Sequence, residues 1–188
     1  LGAGSLAKFI YHQLPAARIT VVEIDPQVEI VARLHFGLPD DPRRLRVLIA
    51  DGVEYMLAGE SRHDCMLIDG FDGKGRAGAL DTLPFYQACR ARLSEHGLLA
   101  VNLLGRERGF QASAERIRQA FEGRTLVFPS SDSGNTIAFA NGSERLDVSL
   151  GELVSRAEQC KLQTGLNLMP TVARLQEQGY LRHDRLSF

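Results

Sequence analysis

Neither sign of charge is in excess: 22 lysines and arginines face 23 aspartates and glutamates, for a formal net charge of −1. Without a basic field, nucleic acid is not an expected partner. Long apolar runs are missing as well. None approaches the roughly 18 residues of a membrane span, and no signal-peptide pattern stands at the start, so no membrane partner is expected. Cysteine is scarce and odd in number. Cys65, Cys89 and Cys160 share no metal-ligand spacing, and two of them fall in apolar patterns, which reads as buried free thiols in a reducing compartment. His12, His35, His63, His96 and His183 pair with neither carboxylates nor cysteines at ligand spacing, so no metal is expected. Repeats and low-complexity tracts are absent. The expectation is a soluble cytoplasmic protein whose 188 residues, 44% of them apolar, build one real core rather than a disordered chain.

The period of the apolar pattern alternates between helix and strand along the chain. A helix is expected over 6–14, capped by Ser5 and ended by Pro15, and a buried strand over 18–24. Asp25-Pro26 opens a helix to about Phe36, closed by Gly37. Strands follow over 45–50 and 64–68, with a short helix over 52–57 between them. Four glycines in 70–78 exclude a regular element there. A helix over 82–93, a strand over 98–104 and a helix over 110–121 come next; the last sets Phe110, Ala114, Ile117 and Phe121 on one face. Strands over 125–128 and 136–140 flank a hairpin loop, Ser130 to Asn135, and helices over 150–162 and 171–178 end the chain. This alternation predicts an α/β fold. It is a doubly wound, mostly parallel sheet of the S-adenosylmethionine-dependent methyltransferase type, with an antiparallel edge strand. Residues 1–142 form the nucleoside-binding domain and 143–188 a helical extension packed on it. The chain opens at Leu1 directly on a glycine turn. Such turns normally follow a buried strand, so the first strand is expected upstream of Leu1.

Open sheets of this kind bind ligands at the carboxyl ends of their strands. The residues at those ends are Gly2-Ala3-Gly4-Ser5, Glu23, Asp51-Gly52, Asp69 with Asp72, and Asn102. Gly2 and Gly4 let backbone approach a ligand that a Cβ would block. Glu23 lies 21 positions beyond Gly2, near the spacing of about 20 for a carboxylate that accepts from both ribose hydroxyls. Asp51 suits an adenine amino group, with Gly52 giving the base room. A plain strand-to-helix turn for the glycines, and helix capping for Glu23 and Asp51, are the alternatives. NAD would call for a third glycine where Ala7 stands, and fits the downstream aspartates less well. Asp69 and Asp72 can converge on a small cation, one taking its proton and the other stabilising its charge. The alternative is a solvated turn.

The blocks Val21 to Pro26 (VVEIDP), Ala50 to Tyr55 (ADGVEY), Asp69 to Asp72 (DGFD), Leu83 to Tyr86 (LPFY) and Leu93 to Asn102 (LSEHGLLAVN) resemble successive blocks of the spermidine synthase (polyamine aminopropyltransferase) family. They keep order and spacing over about residues 1–140. The resemblance implies an SN2 displacement in which a diamine such as putrescine attacks the aminopropyl carbon of decarboxylated S-adenosylmethionine and releases 5′-methylthioadenosine. It implies ribose binding by Glu23, adenosine binding by Asp51 and Gly52, proton acceptance by Asp69 and amine binding by Asp72, with Gly2, Gly4 and Asp69 completing the cofactor site. A small-molecule amine as partner, a homodimer and no metal are implied too.

This sequence departs from the family pattern in three places. Ala3 stands where the family has an aspartate. Gly73-Lys74-Gly75-Arg76 replaces a proline-containing continuation and brings positive charge to the amine side, and Asn102 replaces a glutamine. Two further readings therefore stay open: a methyltransferase using ordinary S-adenosylmethionine, whose carboxylate Lys74 or Arg76 would meet, and a non-catalytic nucleoside-binding homologue.

Overall fold

A β-branched run between two helical segments favours extended chain, and Ile19 to Glu23 is the first strand of a computed structural model, half-buried except at the exposed Thr20. The structure describes residues 1–73, 75–104, 109–129, 135–142 and 145–188; for 109, 110 and 129 it describes the backbone alone. Lys74 and the Ser130 to Gly134 part of the predicted hairpin loop lie outside the described residues. The chain divides into two compact units, Leu1–Ala58 and Gly59–Phe188.

In the first unit, α1 (Ser5–Gln13), β1 (Ile19–Glu23), α2 (Pro26–Phe36), β2 (Leu45–Ile49) and α3 (Gly52–Ala58) alternate. β1 and β2 pair in parallel from Ile19↔Leu45 to Glu23↔Ile49, which brings their carboxyl ends level. Ala32, Leu38 and Leu45 are its buried centre, packed by Leu1, Tyr11, Ile19 and Val47. The expected cap of α1 needs correction. Ser5 is already the first helical residue, and Gly4 is the N-cap in the left-handed region, with φ 69° and no side-chain cap. A Cβ on Gly4 would stand 2.8 Å from Leu38 Cδ1. Close packing and backbone sign together exclude a serine-type cap there. α2 is built as expected: Asp25 Oδ1 accepts from Gln27 N at 2.9 Å, Pro26 sits in the first turn, and Gly37 closes the helix at φ 62°.

The second unit holds β3 (His63–Ile68), a 3₁₀ turn (Gly78–Asp81), α4 (Leu83–Ala91), β4 (Leu93–Leu104), α5 (Gly109–Ala120), β5 (Thr125–Pro129) and β6 (Asn135–Asn141). After these come β7 (Asp147–Ser149), α6 (Leu150–Thr164), α7 (Met169–Glu177) and β8 (Arg185–Ser187). Strand order is β3-β4-β6-β5. β3 and β4 are parallel; β6 runs antiparallel between β4 and β5, one place in from the edge. Leu99, Val101 and Leu103 alternate into the core from β4. On α5 the buried face is Ser113, Ile117 and Ala120, continued by Phe121 just past the helix end. Phe110 has no described side chain, and Ala114 is only half-buried.

Two expectations shift here. The helix predicted to reach Leu93 stops at Ala91, because Leu93 already pairs with His63 as extended chain, and the ladder register slips before Cys65. The tail also contains strands that local pattern does not announce: β7 pairs with β8 across 36 residues. Phe128, Leu175, Leu186 and Phe188 form the buried centre joining that tail to the sheet. Of the cysteines, Cys89 is buried as expected, Cys160 is half-buried, and Cys65 is exposed. Among the described residues, no helix is long and apolar enough to cross a membrane.

Candidate active site

Of the six residues predicted for the cofactor, Gly2, Gly4, Glu23, Asp51 and Gly52 lie in the first unit and Asp69 in the second. Gly2 and Gly4 form a turn closed by Gly4 N donating to Leu1 O at 3.0 Å, with φ 53° and 69°. This turn reaches the end of β1, where the Leu1 nitrogen stands 3.1 Å from Glu23 Oε2. Glu23 does not cap a helix; its Oε1 accepts from Asp25 N at 3.0 Å while Asp25 caps α2. Burial acts to raise the Glu23 carboxyl, and the hydrogen bond from Asp25 N–H acts against it in favour of the anion. Glu23 is thus an anion at neutral pH.

Ala50 N donates to Glu23 O at 3.0 Å, so Asp51 leaves the sheet beside Glu23. Asp51 does take the capping role left open above: Oδ1 accepts from Val53 N at 2.7 Å and Glu54 N at 3.1 Å, with Gly52 as the first residue of α3. Both bonds fall on the same oxygen. Capping orients the carboxylate; it uses half of it.

The predicted amine-side residues lie in the second unit. Asp69 follows β3 and accepts from Asn102 Nδ2, on β4, at 2.8 Å through Oδ1. Parallel pairing of Ile68 with Val101 sets those two strand ends side by side, which is how residues 33 apart meet. The same amide leaves its own oxygen exposed to an unmet demand. Asn102 Oδ1 is buried without a hydrogen-bond donor among the described residues, a state that costs about 1–3 kcal/mol if nothing fills it. Asp72 sits in a tight turn and is paired with Arg76, Nη2 to Oδ2 at 2.8 Å.

A cavity of about 210 Å³ opens beside Asn102, walled by Ile68, Phe71, Leu80, Val101 and Leu104. Its far side contains a group that spacing alone does not reveal. Asp81 accepts from Tyr86 Oη at 3.0 Å and Ser113 Oγ at 2.7 Å, and forms an ion pair with Arg116. Tyr86 both packs and lines the cavity: it is 1% exposed yet faces that space. Burial, and then the Asp81 charge, push its hydroxyl far above the ordinary tyrosine value, so it is a hydrogen-bond donor and not a base. Ser113 and Arg116 lie more than 30 residues beyond Asp81, too far for any sequence signal. A larger cleft, about 460 Å³, is lined by Arg62, Arg90, Ser94 and Glu122 and contains none of the predicted residues. It adjoins the start of β4, where strands of this fold do not hold ligands.

No protein-family model matches this chain. Among curated proteins it is 35% identical over 175 residues to a polyamine aminopropyltransferase of Neisseria meningitidis serogroup B, covering 93% of this chain and 66% of that protein. To the polyamine aminopropyltransferase of Chromobacterium violaceum it is 34% identical over 177 residues, covering 94% of this chain and 68% of that protein. The chain thus spans about two thirds of the length of these relatives. A solved spermidine synthase in complex with the transition state analogue AdoDATO superimposes with a TM-score of 0.65 at 27% identity, over 76% of this chain and 52% of that one. Human methyltransferase-like protein 13 in complex with SAH gives a TM-score of 0.77 at 24% identity, over 88% and 79% of the two chains, a likeness of fold.

Proposed function

The chain belongs to the polyamine aminopropyltransferase (spermidine synthase) family, and from that premise we propose that it transfers an aminopropyl group from decarboxylated S-adenosylmethionine to a polyamine such as putrescine. Glu23 receives the two ribose hydroxyls as an anion. Asp51 offers the oxygen not used in capping α3 to the adenine amino group, and the turn at Gly2 and Gly4 lets backbone approach the nucleoside. On the acceptor side, Asp69 takes one proton from the incoming ammonium. The freed lone pair attacks the aminopropyl carbon. As the C–N bond forms, the C–S bond breaks and its electron pair returns to sulfur, so the sulfonium leaves as a neutral thioether. No Lewis acid is called for by that step, because the positive sulfur is already a good leaving group.

The observation that carries this reading is the Asp69–Asn102 pair. A carboxylate held at 2.8 Å by an amide N–H keeps one oxygen for a proton, and the buried amide oxygen beside it asks for an N–H donor. An amine nucleophile supplies both. The adjoining cavity sets apolar walls at Ile68, Phe71, Leu80 and Leu104, which suit a methylene chain, beside polar ones at Arg76, Asp81 and Asn102.

Ala3, in the place of the family's aspartate, bears on the choice of cofactor, since a carboxylate there would favour the decarboxylated form. Calorimetry with the two forms tests the proposal. Tighter binding of decarboxylated S-adenosylmethionine is expected; equal or tighter binding of the ordinary form would favour methyl transfer.

A further inference from the structure

Building on the aminopropyl-transfer reading, we propose that Arg76 is an internal competitor for the acceptor's second ammonium group and so weights this protein against diamines. The turn that contains it is built from Asp72 outward. Gly75 N donates to Asp72 O at 2.8 Å and Asp72 N to Arg76 O at 2.9 Å. Gly75 supplies the left-handed residue such a closure needs, φ 72°. Arg76 N then donates to Asp72 Oδ1 at 2.9 Å, and the guanidinium folds back onto the other oxygen, Nε to Oδ2 at 2.9 Å and Nη2 to Oδ2 at 2.8 Å.

Both oxygens of the residue assigned to hold an amine are therefore engaged by residue 76, one by its backbone and one by its side chain. An ammonium arriving at Asp72 meets a guanidinium within about 3 Å of the same oxygen. It has to displace Arg76 or share the carboxylate with a like charge, and either weakens its binding. The competitor is removable. Arg76 is 66% and Asp72 42% exposed, and exposed ion pairs are weak and salt-sensitive. Arg76 also lines the cavity together with Phe71 and Asn102. A one-ammonium acceptor, seated at Asp69 and Asn102, makes no demand on Asp72 and is indifferent to this competition. A diamine is not.

The test is calorimetric and independent of turnover. The full chain is saturated with methylthioadenosine and titrated at low salt with putrescine and with butylamine, which has the same carbon chain and one ammonium. Arg76→Gln is expected to tighten putrescine about fivefold and to leave butylamine within about twofold. The gain should shrink with added salt and vanish in Asp72→Asn/Arg76→Gln. Putrescine binding that is unchanged, weakened, undetectable in both proteins, or strengthened equally with butylamine would overturn the proposal. Failure of turnover with tightened putrescine binding in Arg76→Gln would sink aminopropyl transfer and leave the competition standing; turnover with no tightening would do the reverse.

Discussion

Glu23 and Asp51 stand at neighbouring strand ends with different local duties, and the difference is chemical. Asp51 spends one oxygen on the amides of α3. Glu23 is held as an anion by the Asp25 amide against the effect of burial. Its pKa is lowered, so the charge it offers persists above the ordinary carboxylate value and is lost only as pH falls through the lowered one. Methylthioadenosine affinity is therefore expected to stay flat from pH 8 to pH 5. Glu23→Gln should weaken it roughly tenfold to a hundredfold, the worth of charge-assisted bonds to two hydroxyls. Calorimetry checks both, and a loss of affinity between pH 7 and pH 5 in the unmutated protein would remove Glu23 from this role. Sequence reasoning found the acidic strand ends because burial of parallel strands leaves only their tips for polar work. It did not find Asp81, whose partners Ser113 and Arg116 come from a helix beyond the next strand. Nor does spacing tell that Asp72 and Arg76 are bonded; four residues apart in a glycine-rich loop is compatible with any geometry.

Elements were legible where a local device fixes them. Asp25-Pro26 and Gly37 bound α2 as expected, and the same rules extend to Ser149 and Glu152, whose reciprocal bonds cap α6. Ser149→Ala should cost about 1 kcal/mol in urea unfolding. Local rules failed at α1, where the left-handed Gly4 and its contact with Leu38 displace Ser5 as cap. They failed again at Leu93, where the expected helix end gives way to pairing with His63 of β3. They are silent on β7 and β8, three residues each, which exist because Leu186 and Phe188 pack against Phe128 and Leu175. Phe188→Ala is accordingly expected to cost roughly 3 kcal/mol, also read by urea unfolding. An unchanged midpoint would mean that the tail contributes no core.

At the scale of the molecule, alternation of β-branched runs with capped helices was enough to give the α/β class, since parallel pairs need covered faces. The compact units divide after Ala58, inside the span expected for one domain, while residues 145–188 pack within the second unit. Which polar residues stand at the strand ends was readable; how their neighbours temper them was not, because tempering comes from residues distant in sequence.

Turnover gives the most direct measurement. The purified chain is incubated with decarboxylated S-adenosylmethionine and putrescine, and products are followed by mass spectrometry. Methylthioadenosine and an aminopropylated amine should appear together, and Asp69→Asn should lower kcat by about a hundredfold or more with methylthioadenosine affinity unchanged. Undiminished turnover in Asp69→Asn, or product formed only from ordinary S-adenosylmethionine, would contradict the assignment of Asp69 as the proton acceptor of an aminopropyl transfer.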